Sequence, residues 1–176
     1  PEVKSKLESE IDTIRTDADP SSSARLPYLT AVCQETLRLN PPVMAAIPRK
    51  LKAPWQIMGY QFEPGTTLMA CIYLTHQRED LYPQPKQFKP ERFLERQFSP
   101  YEYLPFGGGS RSCIGMAFAQ FEMKLILTTI LSHWQLALAD QRPVKLVRRG
   151  ITLAPPSGLR MVVTGQRQSQ KILATL

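Results

Sequence analysis

Apolar residues recur every three or four positions in three stretches of the chain, and this spacing predicts three helices. The first helix is expected over Pro1 to Arg15. The second is expected over Leu29 to Leu39, ending before a proline pair that begins at Pro41. The third follows a glycine-rich segment and ends near His133. Because the third helix is apolar on most sides, we expect it to be buried in the core.

The stretches between these helices have an extended pattern. Two short runs, Trp55 to Met58 and Tyr60 to Phe62, flank one glycine and predict a small hairpin. Residues Thr67 to Tyr73 predict a buried strand, and residues 76 to 105 predict a long ordered loop, which in a compact domain indicates function. Short strands are expected over Leu136 to Val163. The predicted fold class is therefore mostly α with small β-sheets (α+β).

Composition narrows the classes of function. The 176 residues carry 22 basic and 15 acidic side chains, a net charge of +7, which favours nucleic acid, an anionic membrane or an acidic protein partner. The Lys and Arg residues form no block with interleaved aromatic residues, so we expect no nucleic-acid binding.

No signal peptide opens the chain, and no apolar run approaches the roughly 20 residues that span a bilayer. We expect a cytoplasmic protein, with membrane attachment left open because the N-terminus looks incomplete.

The most informative segment surrounds Cys113. Three glycines, Gly107 to Gly109, allow the backbone to approach a flat and bulky group. Cys113 precedes a helix, whose free N–H groups favour a thiolate, and Arg111 supplies a positive charge for an acidic ligand group. A thiolate beside a flat ligand with carboxylates describes haem ligation through sulfur. A buried structural cysteine and a phosphate-cradling loop stay open at this point, although the lysine and hydroxyl pair of a nucleotide loop is missing.

The other cysteines and the histidines have a plainer pattern. Cys33 and Cys71 lie in apolar helical or strand patterns without glycines or a nearby fixed charge, which is typical of structural cysteines. His76 and His133 are too few and too distant to complete a zinc site. An odd number of cysteines also does not fit a disulfide framework, so a reducing compartment is the simpler expectation.

The segment around Cys113 resembles the cytochrome P450 signature F-x-x-G-x-R-x-C-x-G at every fixed position. The matching residues are Phe106, Gly109, Arg111, Cys113 and Gly115. The resemblance implies that Cys113 is the proximal thiolate ligand of a haem b iron and that Phe106 packs near the sulfur. It also implies that Arg111 pairs with a haem propionate. The fold it implies is the C-terminal part of the cytochrome P450 fold, with helices, a small hairpin, a cysteine loop and a buried helix after it.

Two further motifs resemble the same family. Glu35 and Arg38 match its E-x-x-R pair, and the run Pro90-Glu91-Arg92-Phe93 matches its P-E-R-F motif. The resemblance implies a structural triad of Glu35, Arg38 and Arg92 that holds the proline-rich loop beneath the haem. By spacing alone, Glu35 and Arg38 could equally be an exposed i,i+3 pair that stabilises the helix by a few tenths of a kcal/mol.

The segment after the second helix also resembles the family. There the resemblance implies that Arg49 reaches a haem propionate, although a solvated charge at a strand end is an equal alternative. It implies that five apolar residues line a cavity for a hydrophobic small-molecule substrate: Val43, Met44, Ala45, Ala46 and Ile47. A second lining segment is implied near Arg149 to Leu153.

The resemblance extends over Pro1 to Gly165, and residues 1–176 are treated as one partial domain that forms the proximal side of the haem. The distal helix with its acid–threonine pair has no counterpart, and the first helix begins at residue 1, so we expect a piece of a longer protein that is inactive alone.

In the complete protein the resemblance implies a monooxygenase that hydroxylates a hydrophobic substrate with oxygen. Its partners would be the remainder of the P450 chain and an electron donor, a ferredoxin or a flavoprotein reductase. The basic residues that could dock this donor are Lys86, Lys89, Arg96 and Lys124. A non-catalytic haem-binding module and a P450 relative that rearranges peroxides are the alternatives.

Overall fold

The computed structural model describes residues 1–14, 21–140 and 142–167. Arg15, with which the first helix was predicted to end, lies outside the described residues. So do residues 17–20 of a polar connector that the sequence predicts from Asp17 to Arg25, and most of the polar C-terminal dozen.

The described residues form six α-helices, one 3-10 turn and four two-stranded antiparallel sheets. The helices are α1 (Glu2–Ile11), α2 (Ser21–Ala24), α3 (Pro27–Leu39), α4 (Ile72–His76), α5 (Arg92–Glu95) and α6 (Met116–His133), and the 3-10 turn covers Gly109–Arg111. The paired strands are β1 (Arg49–Lys50) with β4 (Thr67–Leu68), β2 (Trp55–Ile57) with β3 (Tyr60–Phe62), β5 (Trp134–Leu138) with β8 (Met161–Gln166), and β6 (Val147–Arg149) with β7 (Thr152–Ala154). The fold class predicted from the sequence, mostly α with small sheets, is confirmed.

The hydrophobic core lies where α1, α3 and α6 meet. Its buried members come from α1 and from the start and middle of α3: Leu7, Ile11, Leu26, Tyr28, Leu29, Val32 and Cys33. Side chains of α6 cover them from outside: Met123, Leu127 and Leu131. Each fully buried side chain of this size stabilises the fold by about 1.5–3 kcal/mol. The core therefore anchors α3 in a fixed orientation, and the opposite side of α3 carries Glu35 and Arg38.

The N-terminus of α3 is capped by another helix. Leu26 occupies the N-cap position and has no side-chain oxygen, and Pro27 follows at the first helical position. The carboxylate of Glu10 at the end of α1 replaces the missing cap, because Oε1 accepts the N–H of Tyr28 and Oε2 accepts the N–H of Leu29, both at 2.8 Å. Two of the unpaired N–H groups at the helix start are thus satisfied by α1.

The predicted buried strand over Thr67 to Tyr73 is largely wrong. Only Thr67–Leu68 is a strand, and the chain then enters α4. The register pairs Arg49 with Leu68, which places Pro48 opposite Met69. Beyond this pair the two segments stay joined by irregular hydrogen bonds, from the N–H of Ala46 to the carbonyl of Ala70 at 2.8 Å and from the N–H of Tyr73 to the carbonyl of Met44 at 3.1 Å.

The prediction that the helix after the cysteine loop is buried is also wrong. The helix itself spans Met116–His133, as the sequence predicts, but none of its residues is fully buried. Phe118 is 70% exposed and Ile126 is 49% exposed. Only the face that meets the core is covered by described residues. The prediction failed because an apolar pattern shows which residues could be buried, but not how many sides of a helix meet a neighbouring element.

Three smaller predictions are confirmed in whole or in part. The hairpin is confirmed, with Trp55 opposite Phe62. The first helix ends at Ile11, earlier than predicted, and the long loop after His76 contains the short helix α5. Among the described residues, no helix combines the length and the apolar character needed to cross a bilayer.

Candidate functional site

The loop before α6 has a backbone that requires glycine at two positions. Gly107 and Gly109 have φ angles of 74° and 70°, a left-handed conformation that side chains disfavour. The loop is closed by a hydrogen bond from the N–H of Cys113 to the carbonyl of Phe106, at 2.8 Å. Gly108 packs closely as well, because a Cβ atom there would lie 2.9 Å from the carbonyl oxygen of Pro100. The loop therefore has a defined shape that presents Cys113 at its end.

Cys113 is the exposed cysteine of the three, all of which are free thiols. Cys33 lies in the core, and burial raises the pKa of its thiol to about 11, which makes it a poor thiolate. Cys71 is half-buried at the start of α4, where its Sγ lies 3.7 Å from the carbonyl oxygen of Met44. Cys113 precedes α6 by three residues, near free N–H groups that stabilise negative charge. Of the three thiols, that of Cys113 is thus the one available to a ligand.

The side chains of two exposed arginines have no hydrogen-bond or ion-pair partner within the described part of the chain. Arg111 belongs to the 3-10 turn of the cysteine loop, and Arg49 belongs to β1. Both guanidinium groups are free to pair with carboxylates of a ligand, and a planar guanidinium can bind a carboxylate through two parallel hydrogen bonds.

The surface next to Cys113 is apolar. Ile114 is fully exposed, and Met116 and Phe118 in the first turn of α6 are 42% and 70% exposed. These exposed apolar groups lie beside a free thiol and an unpaired arginine. Such a surface fits a bound group that is apolar, carries carboxylates and contains a metal that sulfur can coordinate. Haem has these three properties, so the residues around Cys113 fit a haem.

Glu35, Arg38 and Arg92 meet in the interior. Glu35 and Arg38 are completely buried, and Arg92 is 5% exposed. The Glu35 carboxylate accepts hydrogen bonds from Arg38 Nε at 2.7 Å, from Arg38 Nη2 at 2.9 Å and from Arg92 Nε at 3.2 Å. The backbone N–H of Lys89 adds a fourth hydrogen bond to Glu35 at 2.9 Å. The arrangement is a buried carboxylate shared by two guanidinium groups, which the i,i+3 spacing alone could not distinguish from an exposed pair.

The two arginines also bind backbone carbonyls of the loop after α4. Arg38 Nη1 donates to the carbonyl of His76 and Nη2 donates to that of Pro85, both at 2.7 Å. Arg92 Nη1 donates to the carbonyl of Pro83 at 3.1 Å. Tyr82 is also buried, and the Arg38 guanidinium lies 5.0 Å from the centre of its ring. The charged cluster of Glu35, Arg38 and Arg92 therefore holds the proline-rich loop through the backbone carbonyls of that loop. Backbone carbonyls are present at every residue, so the sequence does not show which of them the arginines bind.

The segment Val43 to Ile47 lies beside an open cavity of about 470 Å³. The cavity is lined by Leu39, Asn40, Pro41, Met44, Tyr73, Gln77, Lys86, Leu146 and Leu153. Met44 and Leu153 thus come together from the two segments expected to line a cavity. Val43, Ala45 and Ala46 are half-buried but do not line this cavity, and Ile47 is 71% exposed.

Three of the four basic side chains proposed for donor docking already have partners. Lys89 pairs with Glu95 at 3.6 Å, and Arg96 pairs with Glu102. Lys124 donates to the backbone carbonyl of Ala24 at 3.0 Å, beside the helical core. Lys86 is exposed on the rim of the cavity. These four residues therefore do not form one free basic patch.

Sequence reasoning missed His76 as a contributor to this region. Its ring is completely buried and contacts both α3 and the segment that leads into the cysteine loop. Its sequence signal is weak, because one histidine at the end of a short apolar run is common in proteins.

Comparisons with known proteins give a consistent result. A family model described as Cytochrome P450 matches residues 1–162. Cytochrome P450 3A29 of Sus scrofa is 39% identical over 160 residues, which are 86% of this chain and 32% of that protein. Cytochrome P450 3A19 of Capra hircus aegagrus is 38% identical over 160 residues, 86% of this chain and 73% of that sequence. A putative cytochrome P450 137 of Mycobacterium tuberculosis is 36% identical over 134 residues, 76% of this chain and 28% of that protein.

Solved structures agree with the sequence matches. A retinoic acid-bound cyanobacterial CYP120A1 superposes with a TM-score of 0.85 at 31% identity, over 94% of this chain and 39% of that chain. A cytochrome P450, CYP102L1, superposes with a TM-score of 0.82 at 30% identity, over 96% of this chain and 39% of that chain. The chain spans about a third of the length of the pig relative and about two fifths of each of these solved chains.

Proposed function

Because the chain belongs to the cytochrome P450 family, we propose that it supplies the proximal, thiolate side of a monooxygenase and that Cys113 is the iron ligand. Family members bind haem through a cysteine thiolate. The observation that carries the assignment is the Cys113 thiol itself, exposed at the end of a glycine-shaped loop and just before α6.

Each residue of the loop has a proposed task. Cys113 would provide the sulfur ligand of the iron, Phe106 would shield that sulfur, and Arg111 and Arg49 would pair with the haem carboxylates. Gly109 gives the loop its left-handed turn, and Gly115, at the N-cap of α6, lies beside the sulfur, where an added Cβ atom would be in ordinary contact with Sγ of Cys113 at 3.8 Å. When bound, haem would supply the activation of oxygen for hydroxylation of a C–H bond, and a thiolate ligand would push electron density towards its iron.

The buried Glu35, Arg38 and Arg92 have a structural role in this proposal. They keep the proline-rich loop rigid on the cysteine side, so that the Cys113 thiol stays in one position. Preorganised groups favour a reaction because no reorganisation is needed when it occurs. These three residues contact no substrate and are not catalytic residues.

The substrate is proposed to be a hydrophobic small molecule. The apolar segment Val43 to Ile47 and the cavity that Met44 and Leu153 line support this class of substrate. Electrons would come from a ferredoxin or a flavoprotein reductase. Of the four basic residues considered for docking this donor, Lys86 is the exposed one whose side chain has no partner within the described structure. Free thiols at all three cysteines suit a reducing compartment such as the cytoplasm.

The 176-residue chain by itself is proposed to have little monooxygenase activity. Ile114 and Phe118 leave the surface around Cys113 open to water in the described structure. Oxygen activation needs a site from which water is excluded. The remainder of a P450 polypeptide would supply the covering wall.

The test of the ligand assignment compares three serine variants. The polypeptide is expressed with its native flanking sequence and loaded with haem, and the spectrum of the reduced, carbon monoxide-bound form is recorded. Cys113→Ser should abolish the Soret band typical of thiolate ligation, whereas Cys33→Ser and Cys71→Ser should retain it. A thiolate band that survives in Cys113→Ser, or is lost equally in all three variants, would contradict the assignment.

A further inference from the structure

His76, at the C-terminal end of α4, is completely enclosed by the loop that the charged cluster holds. Its exposed fraction is 0%. The imidazole ring is stacked on the Tyr103 ring, with centres 5.7 Å apart, and meets the Tyr82 ring edge-on at 6.1 Å. A buried imidazole in aromatic surroundings must satisfy both of its nitrogen atoms by hydrogen bonds.

Each ring nitrogen has one backbone partner, and the two partners determine the position of the proton. Nδ1 lies 3.1 Å from the carbonyl oxygen of Arg38, which can only accept, so Nδ1 carries the hydrogen. Nε2 lies 2.9 Å from the backbone nitrogen of Leu104, whose N–H can only donate, so Nε2 accepts. The ring is therefore neutral, with its hydrogen on Nδ1. Burial supports the same state, since it lowers the pKa of His76 to about 4.

The hydrogen bond from Nδ1 of His76 satisfies the backbone carbonyl of Arg38, which has no N–H partner within α3. The residues three and four positions after Arg38 are Pro41 and Pro42, which have no N–H to donate. The Arg38 guanidinium in turn binds the carbonyl oxygen of His76 at 2.7 Å. The side chain of each residue thus holds the main chain of the other.

The bond to Leu104 reaches the cysteine loop. The carbonyl of Leu104 accepts the N–H of Gly107 at 2.9 Å, and the next bond along the loop joins the N–H of Cys113 to Phe106. Leu104 is therefore fixed on one side by His76 and fixes the start of the loop on the other. A continuous set of hydrogen bonds runs from Glu35 through Arg38, His76 and Leu104 to the loop.

We infer that His76 is a positioning residue for Cys113, acting through the backbone N–H of Leu104. The inference rests on the proposed function, because a positioned sulfur matters only if Cys113 binds the iron. His76 touches neither the sulfur nor a substrate. Its contribution is to transmit the rigidity of the buried charged cluster to the loop that carries the ligand.

Two substitutions separate the two hydrogen bonds of His76. His76→Asn places an amide N–H near the former Nδ1, so it can keep the bond to Arg38 but cannot reach Leu104. His76→Gln places an amide oxygen near the former Nε2, so it can keep the bond to Leu104. Tyr103→Phe is the matched control, because it removes one neighbouring hydrogen bond, from Tyr103 Oη to the carbonyl of Gln34 at 3.2 Å, without touching Leu104.

The first measurement is hydrogen exchange of the haem-free polypeptide. His76→Asn should speed exchange at the amides of Gly107 and Cys113 by about fivefold, the effect of one net hydrogen bond, relative to the amide of Tyr28 in the core. His76→Gln and Tyr103→Phe should leave this ratio near the wild-type value. Equal ratios in all variants would overturn the inference, as would an equal change in Tyr103→Phe.

The second measurement is the carbon monoxide spectrum at equal haem loading. The thiolate-ligated fraction should fall in His76→Asn and recover in His76→Gln. If Cys113→Ser abolishes the thiolate band while His76→Asn behaves as wild type, the positioning inference fails and the ligand assignment stands. If Cys113→Ser keeps the band, the ligand assignment itself fails.

Should His76→Asn not fold, the unmodified polypeptide decides. The inference requires the amides of Leu104, Gly107 and Cys113 to open together, with one common protection against exchange. Separate opening of the Leu104 amide, with Gly107 and Cys113 still protected, would overturn it.

Discussion

Neutralising Glu35 tests the buried charged cluster most directly. Glu35→Gln keeps the side-chain volume, so it creates no cavity, but it removes the only carboxylate that compensates the buried guanidinium groups of Arg38 and Arg92 within the described structure. It also places an amide N–H group among donors that all point inward, including the N–H of Lys89. The variant therefore leaves two buried positive charges without a counterion.

The expected loss is large compared with the stability of the chain. Removing one partner of a buried ion pair costs about 3–5 kcal/mol. A domain of this size is stable by roughly 5–15 kcal/mol, so the substitution removes a substantial part of the total. With a urea dependence of about 2 kcal/mol per molar, the midpoint of unfolding should fall by roughly 2 M.

The assay is equilibrium unfolding in urea followed by circular dichroism. Asp80→Asn is the matched control, since it also removes a carboxylate from an arginine pair, Arg78–Asp80, but at the exposed surface. The control should leave the midpoint almost unchanged, because solvent and salt screen such pairs. The reasoning is refuted if Glu35→Gln costs no more than about 1 kcal/mol, the range of an exposed pair.

Two further outcomes follow from the same contacts. Glu10→Ala removes the acceptor for the N–H groups of Tyr28 and Leu29 at the start of α3, so urea unfolding should show a loss of about 1–2 kcal/mol, whereas Glu10→Gln should retain part of the cap. The free energy of unfolding should also fall as the pH decreases from 6.5 to about 4, because in that window the unfolded chain protonates His76 and the folded chain does not. His76 should account for about 3 kcal/mol of this loss, so the decrease should be smaller in His76→Gln; identical pH profiles for the two proteins would contradict this account.

The sequence by itself determined the local features of this protein. The spacing of apolar residues placed α3 and α6, and the glycine between two short runs placed the hairpin at Trp55 to Phe62. The pattern of residues around Cys113 is sufficient to indicate the family. Such features depend on residues close in the chain, on helical periodicity and on backbone angles that only glycine adopts freely.

Tertiary structure decided which of these residues are covered and by what. The i,i+3 spacing of Glu35 and Arg38 is compatible with an exposed pair, and their burial results from a loop without periodicity that folds over α3. The apolar residues on most sides of α6 predicted a buried helix, yet Phe118 is largely exposed. Burial depends on the neighbours that the rest of the fold supplies.

The link from the charged cluster to the cysteine loop also belongs to the tertiary structure. His76 and Leu104 are 28 positions apart, and the hydrogen bond between them involves a backbone N–H, which every residue except proline carries. A group that is present throughout the chain leaves no sequence pattern, so only the folded arrangement shows which N–H meets the imidazole. Cys113 could therefore be singled out as the proposed ligand from the sequence, while the contacts around its loop became visible only in three dimensions.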